Sequence, residues 1–186
     1  MPFIETGFPG LKIFEPSTFG DHRGYFLESF NEKTFKEAGI DAHFVQDNES
    51  KSQYGVVRGL HYQLNPHAQA KLVRVVIGSV LDVVFDIRKG SPTYGQKYEI
   101  ALSGENKKQL FIPRGFAHGF SVLEDNTVFS YKCDNFYNKA SEGGILFTDP
   151  SLQIDWQVPA EKMLVSDKDR LNPLLKDCIN NFEFTG

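Results

Sequence analysis

The side chains in this sequence best suited to moving protons lie where a plain hydrophobic core would not want them. Arg58, His61, Lys71, His118 and Tyr131 each interrupt segments otherwise rich in Val, Leu, Ile and Phe. An imidazole titrates near neutrality, and a phenol can return a proton when its surroundings help it, so these types together suit general acid and base work. An ammonium or guanidinium beside them would stabilise negative charge as it develops. Each residue alone is ordinarily a side chain on the outer face of a strand. Converging on one interior, all of them together would be costly to bury unless a ligand or a proton-transfer role offset the desolvation.

Short strands must position these groups. Runs rich in β-branched and aromatic residues are predicted as strands at 11–14, 25–30, 43–46, 56–62, 72–77, 80–87, 97–102, 109–112, 119–123 and 128–133. Gly78-Ser79, Gly90-Ser91-Pro92, Ser103-Gly104 and Glu124-Asp125-Asn126 punctuate them as turns. Helical signals are sparse. Asn31 is a good N-cap for a short helix over 32–38 with Gly39 as its stop, and a second short piece follows Pro173. Many short strands with even spacing predict an all-β sandwich or barrel, and there is no room for the crossover helices of a parallel sheet. Strict alternation puts Arg58 and His61 on opposite faces of their strand. A bulge at Gly59 would bring them to the same side, a choice the sequence leaves open. The same alternation allows Lys71 to point into a lumen.

Composition narrows the function classes. The chain has 186 residues, enough for one domain over 1–186 with a self-sufficient core, and no repeat or low-complexity linker divides it. Its 17 Phe and 7 Tyr favour β structure and a cleft for flat ligands. Twenty Lys and Arg against 24 Asp and Glu leave a charge of −4, which argues against nucleic acid as a main partner. The most apolar stretch, 72–87, is broken by Arg74, Asp82 and Asp86 and is too short and too charged to span a bilayer. With Cys133 and Cys178 the only cysteines and no leader pattern at the start, reduced thiols in a cytoplasmic protein are expected.

The sharpest local pattern is Pro113-Arg114-Gly115-Phe116-Ala117-His118-Gly119-Phe120, a Pro-x-Gly turn followed by a His among rings. It resembles the second motif of cupins, jelly-roll barrels that hold a ligand or metal inside. The metal of such a site needs His-x-His and a carboxylate on an earlier strand, but the corresponding stretch reads His61-Tyr62-Gln63. His22, His43 and His67 fall in turn-like or isolated settings. A catalytic metal is therefore not expected.

An ordered series extends the resemblance along nearly the whole chain: Asp21-His22-Arg23-Gly24-Tyr25-Phe26-Leu27-Glu28, Phe44-Val45-Gln46-Asp47-Asn48, Val57-Arg58-Gly59-Leu60-His61-Tyr62-Gln63, Lys71-Leu72-Val73-Arg74, Asp86-Ile87-Arg88, Ser91-Pro92-Thr93-Tyr94-Gly95, the Pro113 segment and Tyr131-Lys132-Cys133. Together these resemble the dTDP-4-dehydrorhamnose 3,5-epimerase family. The resemblance implies a homodimeric cupin-type jelly roll with a few short peripheral helices. Its implied activity is epimerisation of dTDP-4-dehydro-6-deoxy-D-glucose at carbons 3 and 5, without cofactor or metal. It further implies His61 as base and Tyr131 as acid, with Lys71 on the enolate oxygen. Asp169 would orient His61, by the Ser166-Asp167-Lys168-Asp169 pattern, with Asp167 as the neighbouring alternative. By the same similarity Arg23, Arg58 and Lys168 suit the diphosphate. Phe26, Glu28, Gln46, Asp47, Asn48, His118 and Glu142 belong to the nucleotide and sugar contacts, and Tyr137 to stacking on thymine.

The chain departs from the family pattern at Phe147-Thr148-Asp149-Pro150, at Trp156-Gln157 and at His22, positions that bear on loop packing and the pocket entrance. Alternative readings keep the fold and change the outcome. They are a single-site epimerase, a ketoisomerase, or a nucleotide-sugar binding module without catalysis. A metal-dependent cupin oxygenase is the remaining enzyme class.

Overall fold

The computed structural model describes residues 2–185. In chain order the strands are β1 (Phe3–Glu5), β2 (Lys12–Phe14), β3 (Thr18–Asp21), β4 (Gly24–Leu27), β5 (Gln46–Ser52), β6 (Val57–Gln63), β7 (Lys71–Ile77), β8 (Ser79–Asp86), β9 (Lys97–Ser103), β10 (Gln109–Ile112), β11 (Phe116–Val122), β12 (Thr127–Cys133) and β13 (Glu142–Gly144). Helix α1 (Glu32–Glu37) lies between β4 and β5, and α2 (Asp167–Arg170) follows the strands together with short 3-10 turns. A six-stranded sheet in the order β1-β2-β10-β7-β12-β5 faces a five-stranded sheet in the order β13-β6-β11-β8-β9. The ladders are antiparallel, as the jelly-roll reading requires. No helix among the described residues is long and apolar enough to cross a membrane.

Three apolar layers hold this arrangement. Val73, Val75, Val84, Leu110, Phe116, Phe120 and Phe129 pack between the two sheets. On the outer side of the five-stranded sheet, Leu81, Val83, Phe85 and Ala117 meet Ile145, Phe147, Leu152, Trp156 and Phe182 from the C-terminal segment. The outer side of the six-stranded sheet is closed by α1 through Phe35, which packs with Phe14, Leu72 and Phe111. Strands β8 and β11 are therefore covered on both faces, so they read as nearly unbroken apolar runs in which any charge stands out.

Local chemistry explains the helix. The Asn31 side chain accepts from the backbone of Lys33 at 3.0 Å and Thr34 at 3.4 Å, and Gly39 ends the turn at φ +78°. The strand expected at 43–46 lies elsewhere: the ladder begins at Gln46 and runs to Ser52, along the polar sequence Gln-Asp-Asn-Glu-Ser-Lys-Ser. As an edge strand paired only with β12 it is held by backbone hydrogen bonds, so it carries no apolar alternation to read. The strand expected at 25–30 stops at Leu27, and Phe30 turns away to pack on Phe35 and Phe44. The departures near the C-terminus leave a well-tied segment. Trp156 donates to the Phe147 carbonyl at 2.9 Å, and Asp149 accepts from the backbone of Ser151 and of Leu175.

Candidate active site

Between the sheets lies a cavity of 590 Å³ that opens into a neighbouring one of 470 Å³; His61, Lys71, Tyr131 and Lys168 line both. The path to it begins at Gly59. The β6–β11 ladder pairs His118 with His61 and Phe120 with Arg58, a register shift that resolves the open choice in favour of a bulge. Gly59 sits at φ +117°, and a Cβ there would meet the Gly119 Cα at 2.5 Å, so only glycine fits where the two strands press together. The bulge turns Arg58 and His61 to the same cavity.

His61 meets Asp169, not Asp167. Its Nε2 lies 2.6 Å from Asp169 Oδ1, and the other carboxylate oxygen accepts from the Gly59 backbone N–H at 3.3 Å. Ser166 caps α2 by accepting from the Asp169 N–H at 3.1 Å, which fixes the carboxylate at the cavity wall. Burial pushes the Asp169 carboxyl up, but the hydrogen bond and charge of His61, with the Gly59 and Ser166 contacts, outweigh it and hold the pKa below the usual range. An ionised carboxylate accepts the Nε2–H proton and leaves Nδ1 as the basic nitrogen. The His61 side chain is 41% exposed while Asp169 is 5% exposed, so the imidazole remains reachable from the cavity.

Across the cavity, β12 and β7 supply Tyr131 and Lys71, with the Lys71 Nζ 5.8 Å from the Tyr131 ring centre. Burial raises the Tyr131 pKa, with the Cys133 thiol adding to this and the Arg58 charge opposing it. Burial lowers the Lys71 pKa, opposed by Cys133 and Asp82. His118 is buried on β11 and bonds through Nε2 to Asp82 on β8 at 2.9 Å. Burial lowers its pKa against the pull of the Asp82 charge and hydrogen bond, which favours the neutral imidazole. Phe120 and Phe129 stack at 4.1 Å beside it as an apolar wall.

The remaining predicted residues divide. Arg58, Asn48 and Lys168 line the larger cavity; Tyr137, Glu142 and Lys168 line its neighbour, where Lys168 pairs with Glu142 at 2.6 Å. Gln46 accepts from the Tyr137 backbone N–H and donates to Asn48. Asp47 points outward to Lys132. Arg23, Phe26 and Glu28 do not reach the cleft of their own chain: Arg23 pairs with Asp21 on the exposed β3–β4 hairpin, and Phe26 lines a separate groove with Tyr25, Arg74 and Lys107. His22 and His43 are exposed, and His67 bonds locally to Asn138. Among the described residues no group of three His, Cys, Asp or Glu is placed to hold a metal ion. The residue that sequence reasoning passed over is Asp82. Its signal in the sequence is a lone carboxylate inside the apolar run Val80-Leu81-Asp82-Val83-Val84.

The family model described as dTDP-4-dehydrorhamnose 3,5-epimerase matches residues 5–177. A Shigella flexneri protein of that name is 58% identical over 170 residues, covering 91% of this chain and 93% of its own length. The crystal structure of an Elizabethkingia anophelis dTDP-4-dehydrorhamnose 3,5-epimerase superposes with a TM-score of 0.90 at 55% identity, covering 94% of this chain and 96% of that one. A Legionella pneumophila 3,5-epimerase, solved in complex with dTDP-4-keto-L-rhamnose, superposes with a TM-score of 0.93 at 48% identity over 99% and 98% of the two chains. By these matches, on a jelly roll whose cleft holds His61, Lys71 and Tyr131, this chain belongs to the dTDP-4-dehydrorhamnose 3,5-epimerase family.

Proposed function

We propose that the chain converts dTDP-4-dehydro-6-deoxy-D-glucose to dTDP-4-dehydro-L-rhamnose by inverting carbons 3 and 5. One observation carries this reading: His61 and Tyr131 border the same cavity from strands of opposite sheets, β6 and β12, which allows a sugar ring between them to meet a base on one side and an acid on the other. Both carbons flank the ring ketone. His61 Nδ1 takes the proton, the electron pair moves onto the carbonyl oxygen beside the Lys71 ammonium, and Tyr131 delivers a proton to the opposite face. Reprotonation of the tyrosinate from solvent and release of the His61 proton close the cycle. Only protons move, so the reaction itself calls for no redox cofactor.

Arg58 and Lys168, at the open side of the cavity, suit the diphosphate, Arg58 through its planar fork. Tyr137 and Glu142 suit the thymine end. Arg23, Phe26 and Glu28 act in the same way only if a second copy presents its hairpin to this cleft. The hairpin's exposed rings, Phe19 at 66% and Phe26 at 68%, support such a homodimer. The free thiols Cys133 and Cys178 are at home in a reducing cytoplasm.

Incubation with the dTDP-4-keto-6-deoxy sugar in heavy water tests the reaction. The product is expected to carry deuterium at both carbon 3 and carbon 5, read by mass and proton spectra. A single deuteron would make the protein a one-site epimerase, and tight dTDP binding without exchange would make it a binding module.

A further inference from the structure

The second cavity is bordered by a segment that has no ladder of its own. Residues 134–138 leave β12 in neither strand nor helix, yet they carry Tyr137, which borders that cavity and is 56% exposed. Side chains from elsewhere hold them. Gln63, the last residue of β6 and only 6% exposed, donates its amide hydrogens to the His67 carbonyl at 2.8 Å and to the Phe136 carbonyl at 3.3 Å. Its Oε1 accepts from the Asn138 N–H at 2.7 Å, so Gln63 grips the chain on both sides of Tyr137. Gln46 accepts from the Tyr137 N–H at 3.2 Å, and Gln69 donates to the Asn135 carbonyl at 2.7 Å. Backbone groups outside a ladder need partners, and around Tyr137 glutamine side chains supply them. The hold continues to Glu142: the Asn138 side chain accepts from the Ala140 N–H at 3.0 Å and opens the turn into β13, where Glu142 pairs in register with Gln63. Gln63 also borders the cavity, but both its amide hydrogens are engaged, so it has no donor left for a ligand.

We propose that Gln63 is a positioning residue for the nucleobase: by fixing the 134–138 segment it presents Tyr137 as a stacking platform already formed in the free protein. The inference rests on the reading of Tyr137 as the group that meets thymine. A ring on a loose loop would lose part of its stacking gain to the ordering of that loop, and a ring held in place beforehand keeps it. His61, Lys71 and Tyr131 stand on the ladders of β6, β7 and β12, which do not depend on the Gln63 side chain. Its loss therefore falls on binding rather than on proton transfer.

The test is a double-mutant cycle read as dTDP affinity by calorimetry. Tyr137→Ala is expected to weaken dTDP binding about tenfold, and Gln63→Ala about fivefold. In the Tyr137→Ala background, Gln63→Ala should cost less than about twofold, because it acts through that ring. Inorganic diphosphate, which brings no base to stack, should bind Gln63→Ala within about twofold of the unaltered protein. In turnover of the keto sugar, Gln63→Ala should raise KM while kcat changes less than about twofold. An equal loss in both backgrounds, no loss in either, or a parallel loss for diphosphate would overturn the proposal. Unaltered dTDP affinity in Tyr137→Ala would instead remove the thymine reading, and the proposal with it. If Gln63→Ala fails to fold, amide hydrogen exchange in the unaltered protein decides. The Tyr137 and Asn138 N–H groups are expected to be protected before any dTDP is added. Exchange at open-chain rates until dTDP arrives would overturn the proposal, since Gln63 would then hold nothing in the free protein.

Discussion

Two His–Asp pairs stand side by side on β6 and β11 and differ mainly in how far water reaches them. His61–Asp169 has a half-open imidazole over a buried carboxylate; in His118–Asp82 both members are buried. Asp169 is also held by the Gly59 backbone N–H and by the Ser166 hydroxyl, which accepts from the Asp169 N–H, whereas one Asp82 oxygen has no partner among the described residues. The contrast teaches that the same two side chains make a proton acceptor when the ring opens on a cavity, and a fixed neutral donor when burial pulls the imidazole pKa down.

The largest expected effect strikes the open pair. His61→Ala removes the base, and kcat should fall by about 10² to 10⁴-fold, measured by product formation from the keto sugar. Asp169→Asn keeps the ring but loses the carboxylate that selects its tautomer, and should cost about a hundredfold in kcat with little change in KM. Equal activity in Asp169→Asn and the unaltered enzyme would erase the distinction between the pairs.

Asp86 sharpens the comparison from the stability side. Asp86→Ala leaves the Arg88 guanidinium without its carboxylate and should cost about 3–5 kcal/mol in urea unfolding, while kcat of the protein that remains folded stays near normal. The pH sense follows from the lowered Asp86 pKa: burial raises it, but Arg88, Ser91 and Thr93 prevail. A depressed folded pKa gives stability that is fully present above the usual carboxyl value of 3.8 and is lost as pH falls through the lower folded value. Unfolding free energy should thus drop as the solution is acidified below about pH 4, and less steeply in Asp86→Asn.

The smallest expected effect lies on the hairpin. Arg23→Ala should raise KM by about tenfold, the worth of a charged hydrogen bond, and leave kcat nearly intact. Mixed dimers of Arg23→Ala and His61→Ala protomers should regain activity that neither homodimer shows at low substrate, because one cleft then has both groups. No regain would place Arg23 outside the partner's cleft.

Much of this was legible in the residues. Asn31 and Gly39 bracket α1 by capping chemistry that is local and therefore readable. The apolar runs of β8 and β11 announce themselves because both faces are covered. Strand β5 does not, since hydrogen bonds to β12 hold it and its side chains are polar. The side on which His61 falls was open because the Gly59 bulge depends on where Gly119 presses from the neighbouring strand. Asp82 and Asp86 look alike in sequence; only the partners each finds, Arg88 two residues on and His118 thirty-six away, separate them. Asp169 lies 108 residues from His61, so choosing it over Asp167 by residue chemistry alone was beyond local reading.

The most direct measurement of the opposed acid and base is deuterium in the substrate recovered from heavy water before turnover is complete. With Tyr131→Phe, His61 still removes protons and can return deuterons to the same face, so recovered substrate should be labelled while little product forms. With His61→Ala it should remain unlabelled. Label in the His61→Ala substrate, or its absence in Tyr131→Phe, would contradict a base at His61 facing an acid at Tyr131.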